Sequence, residues 1–384
     1  MNQKNAFIAF GLSLALFSCS KEKKMTELKQ KVVDNYAEVV HATYTDSYDQ
    51  AVSFRTKVNA FVANPTDAGL NELKTFWAGP LRTSYGQSDA FRFYGGPIDD
   101  DNGKEGELNA WPLDEVYIDY VDGNATAGII NDPTTYPTLS KQLIIDLNEA
   151  GGETNISTGY HAIEFLLWGQ DLYTNSAGLR PYTDYLTTGG TAANQARRGQ
   201  YLSIVTDLLV EDLKYTADAW AGSASYRSTF SSQDPNTSLQ LIFTGIGKFC
   251  KGELFGERFE VAYSTQSQED EHSCFSDQTH NDLRFGILGI ENVFYGRYTN
   301  IQGTQIDGPG IDELLEEADP ELNKDVKAKL QAAKDAVYAL HAPFDQEIVT
   351  ADGRARCLTA IDAGNALADK IVEAASALGI QIVL

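Results

Sequence analysis

Two short stretches of this chain concentrate side chains able to bind a cation or move a proton. The first reads Gly159-Tyr160-His161-Ala162-Ile163-Glu164. On a helix His161 and Glu164 share a face, three residues apart, so an imidazole and a carboxylate can converge on one point. Gly159 leaves room for another backbone to approach closely. The second stretch, residues 269–282, reads EDEHSCFSDQTHND and brings Glu271, His272, Asp277, His280 and Asp282 into one turn and helix start. Ser276 fits an N-cap, Asp277 would meet the positive end of the following helix, and Asp277 and His280 repeat the three-residue spacing. Each stretch also has a plain explanation: a buried His–Glu hydrogen bond in an apolar helix, and an acidic, well-capped loop. Three of the five histidines of the chain fall in these two stretches, which tilts the balance toward a site.

The chemistry such a site offers is metal binding. Stable metal sites use three or four protein donors, or fewer with water in the open positions, and helical bundles build them from inward-facing carboxylates and imidazoles. His161, Glu164, Asp277 and His280 are the expected ligands. Those donors suit iron, and would accept zinc or manganese nearly as well. Arg92 and Arg258 would repel a bare cation, so near the site they imply paired carboxylates or an anionic chelate. A metallopeptidase would need a metal-bound water and a general base such as Glu271 or Asp277. Neither His-Glu-x-x-His nor Gly-x-Ser-x-Gly occurs in the sequence.

The elements that must carry these residues read as helices. From Glu27 to Val62 apolar residues return at three- and four-residue steps, Pro65 closes the run and Asp67 can start the next. Similar stretches cover about 192–220, 238–263, 276–298, 320–340 and 358–378. The expected fold is all-α: two four-helix-bundle-like domains, residues 26–225 and 237–384, divided at the polar segment 222–236. An irregular region rich in Gly, Pro and Asp, residues 95–152, lies between helices of the first domain. It is too long for a connector and is expected to pack on the bundle and serve the site.

The N-terminus reads as an export signal, residues 1–18, ending in Leu16-Phe17-Ser18-Cys19, followed by a tether, residues 19–25. This fits a bacterial lipobox with Cys19 as the lipidated residue. Acyl chains contribute about 0.8 kcal/mol per buried CH₂. Ser20 after Cys19 favours the outer membrane, facing the periplasm, with membrane contact only through the anchor. The net charge of −24 excludes nucleic acid as a partner. Cys250, Cys274 and Cys357 allow one disulfide and one free thiol.

GYHAIEFLLWGQDL resembles the Gly-x-His-x-x-Glu signature of the imelysin-like proteins, and EDEHSCFSDQTHNDL resembles their second block. AFRFYGGPID, WPLDEVYIDYV, GLRPYTDY and KGELFGERFEV are similar as well. The resemblance spans essentially the whole mature chain and implies a paired-bundle envelope protein with a site between its halves. It also implies an association with iron uptake and its partner proteins, with a peptidase or a plain scaffold as the alternatives. Gly159, His161 and Glu164 carry over directly; Arg92, Trp111, Asp114, Arg258, Glu271, His272 and Ser276 are the further site candidates.

Overall fold

The computed structural model describes residues 4–384, with side chains from residue 22 onward; Cys19 lies outside the described side chains. Helix α1 (Lys4–Ala63) is the spine of the molecule. Val32, Val33, Tyr36, Val39, Val40 and Tyr44 face one apolar core, and Ala51, Phe54, Val58 and Phe61 face another. The three- and four-residue spacing makes each dry stripe, and the stripe shifts between cores along one continuous helix. Pro65 lies beyond the end of α1, and the Thr66 hydroxyl caps α2 (Asp67–Phe76) by accepting from Gly69 N at 3.0 Å.

The first core is completed by α2, by α4 (Gly159–Trp168) and by α5 (Gln195–Ala219), which runs along α1. The second core takes α6 (Ser225–Ser232), α7 (Pro235–Lys248) and a wide-turned segment, Phe249–Glu260. It also takes α8 (Thr279–Tyr295), α9 (Pro320–Tyr338) and α11 (Ala351–Ala377), the last preceded by the short α10 (Phe344–Val349). Helix α3 (Arg82–Ser88) leads from one core into the other: Tyr85 packs in the first, and Ala90 and Phe91, just past it, in the second. The strands β1 (Arg297–Thr299) and β2 (Gln305–Asp307) form a small antiparallel hairpin. Its Tyr298 hydroxyl donates to Asp46 on α1 at 2.8 Å.

The all-α expectation and its two bundles are realised, but the cores do not divide the chain at one position. Residues 25–44 of α1 belong with the C-terminal helices, because their apolar stripe shares a core with α7, α8 and α11 as well as the end of α5. The polar segment 222–236 is also more ordered than its composition suggests. It holds α6, pinned by Phe230 against Tyr36 and Trp220 with ring centroids 5.5 and 5.1 Å apart. One buried aromatic outweighs seven weak neighbours. The three cysteines with described side chains are all free thiols, so the disulfide that their number allows is not formed among them.

The irregular region 95–152 is held by charge. Buried Asp119 accepts from Arg180 at 2.7 Å and from Arg198 at 2.6 and 2.8 Å, tying the region to the loop after α4 and to the start of α5. Removing one partner of a buried ionic cluster strands the others out of water. Asp119→Ala is expected to lower stability by about 3–5 kcal/mol, measured as a shift in the urea denaturation midpoint.

Candidate functional site

Gly159 opens α4 with φ +81°, and a β-carbon there would lie 2.3 Å from Leu108 O. Only glycine permits that backbone conformation and that approach together. The close contact sets α4 against the irregular region, and the helix is buried along its whole length. His161 and Glu164 therefore sit deep, 1% and 0% exposed.

Their hydrogen bonds define their roles. Glu164 Oε1 accepts from Ser276 N at 3.0 Å and from Ser276 Oγ at 2.6 Å, and Oε2 faces His161 Nδ1 at 2.9 Å. Both carboxylate oxygens are thus engaged, so Glu164 orients the imidazole. Nε2 of His161, by contrast, is buried without a partner. A second dyad stands beside the first. His272 Nδ1 lies 2.8 Å from Asp282 Oδ2, and its Nε2 is likewise unpartnered. The two imidazoles meet edge to face, ring centroids 4.6 Å apart. An imidazole fixed by a carboxylate through one nitrogen presents the other as a Lewis base, the usual support for a metal-binding histidine.

Electrostatics keep both rings neutral. Burial, then Arg258, pushes His272 down to about 4; burial, then His272 and Arg82, holds His161 well below its ordinary value. Burial pushes Asp282 upward, but Arg82 and His272 hold it well below the usual carboxylate range. Asp282 is therefore a carboxylate that accepts the His272 Nδ1 proton and leaves a lone pair on Nε2. Burial pushes Glu164 up to about 8, and the Ser276 bonds only partly offset this. With Oε1 taken by two donors, the proton of neutral Glu164 belongs on Oε2 and points at His161. Its loss reverses that hydrogen bond and frees the His161 Nε2 lone pair.

Arg82 binds the dyads to the rest of the protein. It donates to Asp282 Oδ1 and to Asn109 Oδ1, each at 2.9 Å, and stacks over Tyr160. Arg258, in the wide-turned segment, donates to Asp89 at 2.6 Å and to Glu253 at 2.8 Å. Arg82 Nε, Arg258 Nη2 and Asn109 Nδ2 remain buried donors without acceptors. Trp111 covers His272, ring centroids 5.6 Å apart, and donates through Nε1 to Glu271 O at 3.0 Å. Outside Trp111 and Asn109 opens a cleft of about 380 Å³, lined also by Arg92 and by Glu105, Glu149, Glu153, Glu253 and Glu257. Arg92 pairs with Glu105.

The residues expected from sequence thus separate into groups. His161, Glu164, His272 and Ser276 come together. Ser276 binds Glu164 and does not cap α8, which begins at Thr279. Asp277 groups with Asp171 and Asp345, the one cluster of three or more metal-type donors among the described residues. The expected set of His161, Glu164, Asp277 and His280 therefore does not converge on one point. His280 is buried with Nδ1 unpartnered. Asp114 caps the short helix Glu115–Ile118, accepting from Val116 N at 3.2 Å. Arg82 and Asn109 complete the site without having been expected, and Asp282, expected only as part of the acidic stretch, is the partner of both Arg82 and His272.

The sequence profile described as imelysin matches residues 40–371 of this chain. The chain belongs to the imelysin family. The iron-regulated protein A of Synechococcus elongatus is 22% identical over 377 residues, 94% of this chain and 91% of that protein. A crystal structure of an iron-regulated protein A precursor from Parabacteroides distasonis superposes with a TM-score of 0.71 at 16% identity, covering 92% of this chain and 95% of that one. An imelysin-like protein from Psychrobacter arcticum superposes at 0.66 with 13% identity, covering 94% and 98%. At these identities the two structures establish a shared fold.

The raised Glu164 carboxyl gives a signed prediction. A group whose folded pKa lies above its unfolded one stabilises the fold fully below the unfolded value, and that contribution is lost as pH rises through the folded one. Between the ordinary Glu range and about pH 8, the wild type should lose up to about 1.4 kcal/mol per pH unit from this group. Glu164→Gln should flatten that part of the profile, as read by denaturant midpoints at pH 5, 6.5 and 8.

Proposed function

We propose that this imelysin-family protein is a lipid-anchored envelope component of iron uptake that binds iron, as an anionic chelate, at the His161 and His272 dyads. One observation carries the proposal: two buried imidazoles, His272 held through Nδ1 by the Asp282 carboxylate and His161 by the Glu164 carboxyl group, keep both Nε2 atoms unpartnered. Imidazole nitrogen suits iron, which is here the cargo. Arg82, Arg258 and Asn109 beside the rings have donors to spare for the carboxylates or hydroxamates of a chelator. The names of the relatives from Synechococcus and Parabacteroides, iron-regulated protein A, agree with such a role. Among the described residues no helix is long and apolar enough to cross a membrane; attachment through Cys19 at the outer membrane is part of the proposal.

Two measurements test it. Calorimetric titration of tag-free protein with ferrous chloride and with ferric citrate should give one site, with ferric citrate the tighter ligand. His272→Ala and His161→Ala should remove measurable binding, and Glu164→Gln should weaken it about 10- to 100-fold. Equal binding by folded variants and wild type would overturn the assignment, and chelator-sensitive cleavage of a denatured substrate, lost in His161→Ala, would replace it with a peptidase. Separately, Cys19→Ser should shift the protein from the membrane fraction to the soluble periplasmic fraction.

A further inference from the structure

Asp171, Asp277 and Asp345 come from three separate parts of the chain. Asp171 follows α4, Asp277 lies in the turn before α8, and Asp345 sits in α10. All three are buried, and one ligand oxygen from each lies within 4.8 Å of the other two. Three buried carboxylates at that spacing repel one another unless something positive joins them. None of them forms an ion pair among the described residues. The groups acting on Asp277 after burial are Asp345 and Asp171.

An acidic cluster alone is weak evidence, but two further side chains point to a ligand. Asp345 is 4% exposed, and neither of its carboxylate oxygens has a hydrogen-bond partner. Asp171 Oδ2 is unpartnered too, while Oδ1 accepts from Tyr173 N at 3.0 Å. Behind them Glu271, 1% exposed, has both oxygens unpartnered, with the Thr279 hydroxyl the neighbouring polar group. The charges acting on Glu271 are those of Asp345, Asp277 and Asp171. Carboxylate oxygens left unpartnered out of water carry a large desolvation cost that a bound cation removes.

We propose that Asp171, Asp277 and Asp345 form a second cation site, distinct from the histidine dyads, that takes a hard divalent cation of the calcium class. The donors are all oxygen, with neither imidazole nor thiolate, which favours calcium or manganese over softer metals. Oxygens within 4.8 Å of one another can meet a common cation, and calcium accepts an irregular oxygen shell where magnesium demands near-ideal octahedral geometry. Water completes the coordination. The bound cation joins the end of α4 and α10 to the turn 271–278. Ser276, next to Asp277, is the residue that grips Glu164, so the cation is a positioning element for the motif.

The test uses the full mature chain, stripped with EDTA and titrated with calcium chloride by calorimetry, alongside thermal denaturation with calcium or with EDTA. Wild type should bind one calcium and melt higher with it. Glu164→Gln and His272→Ala, which disable only the dyads, should bind calcium as wild type does. Asp345→Asn should weaken calcium binding at least tenfold, and Asp171→Asn should do the same if the first variant folds poorly. The proposal is overturned if wild type takes up no calcium at millimolar concentration with its melting unchanged by EDTA, or if both Asp variants bind as wild type. Loss of iron binding in the dyad variants with calcium binding intact separates the two sites.

Discussion

The ion pair between Arg82 and Asp282 is the interaction on which the site depends. Both side chains are buried, and a buried pair is favourable only when its remaining donors and acceptors are also met. Here that requirement recruits the neighbourhood. The second Arg82 nitrogen takes Asn109 from the irregular region, and the second Asp282 oxygen takes the His272 ring and the Ser273 hydroxyl. Helix α3, helix α8, the irregular region and the turn 269–278 thus meet at one pair of charges where the two apolar cores adjoin. Apolar packing brings the helices together, but it is non-directional; this charge network fixes how the imidazoles face.

The network also divides the site into layers of opposite character. The outer cleft carries five glutamates against Arg92. The inner layer holds two neutral imidazoles between the fixed charges of Arg82 and Arg258. A bare cation attracted by the outer layer meets repulsion at the inner one, at short range and in low dielectric. A metal already wrapped in carboxylates or hydroxamates meets donors instead. If the dyads take iron as proposed, the arginines favour the chelated form over the bare cation.

Much of this was legible in the sequence, for identifiable reasons. Long amphipathic stripes such as Val32–Tyr44 repeat often enough to declare a helix, and His161 and Glu164 declare themselves because their relation is local. Helix α6 hides because only Phe230 among its residues is buried. Ser276 looks like a cap when only its own segment is considered; its true acceptor, Glu164, lies 112 residues away. The partners of Asp277 are equally remote, so the pattern suggested a single metal site drawing on both stretches where the fold builds two centres. Periodicity reports what faces inward, whereas the identity of the facing partner is a property of the assembled chain.

Those two centres share the turn between Glu271 and Asp282. Along it, His272 and Ser276 reach toward α4 and its motif, while Glu271 and Asp277 reach toward Asp171 and Asp345. Asp277 adopts φ +56°, a left-handed conformation that aspartate tolerates better than most residues. That local twist turns successive side chains to opposite sides. A segment whose neighbouring residues face two different clusters cannot move for one without moving for the other. Whatever orders the aspartates also orders Ser276, and through Ser276 the Glu164 carboxylate that aims His161. On the proposed reading linkage makes the influence mutual: a cargo that steadies His161 and His272 would in turn steady the aspartates. On that reading the turn, more than the Gly-x-His-x-x-Glu helix itself, is where occupancy of one centre would be felt by the other.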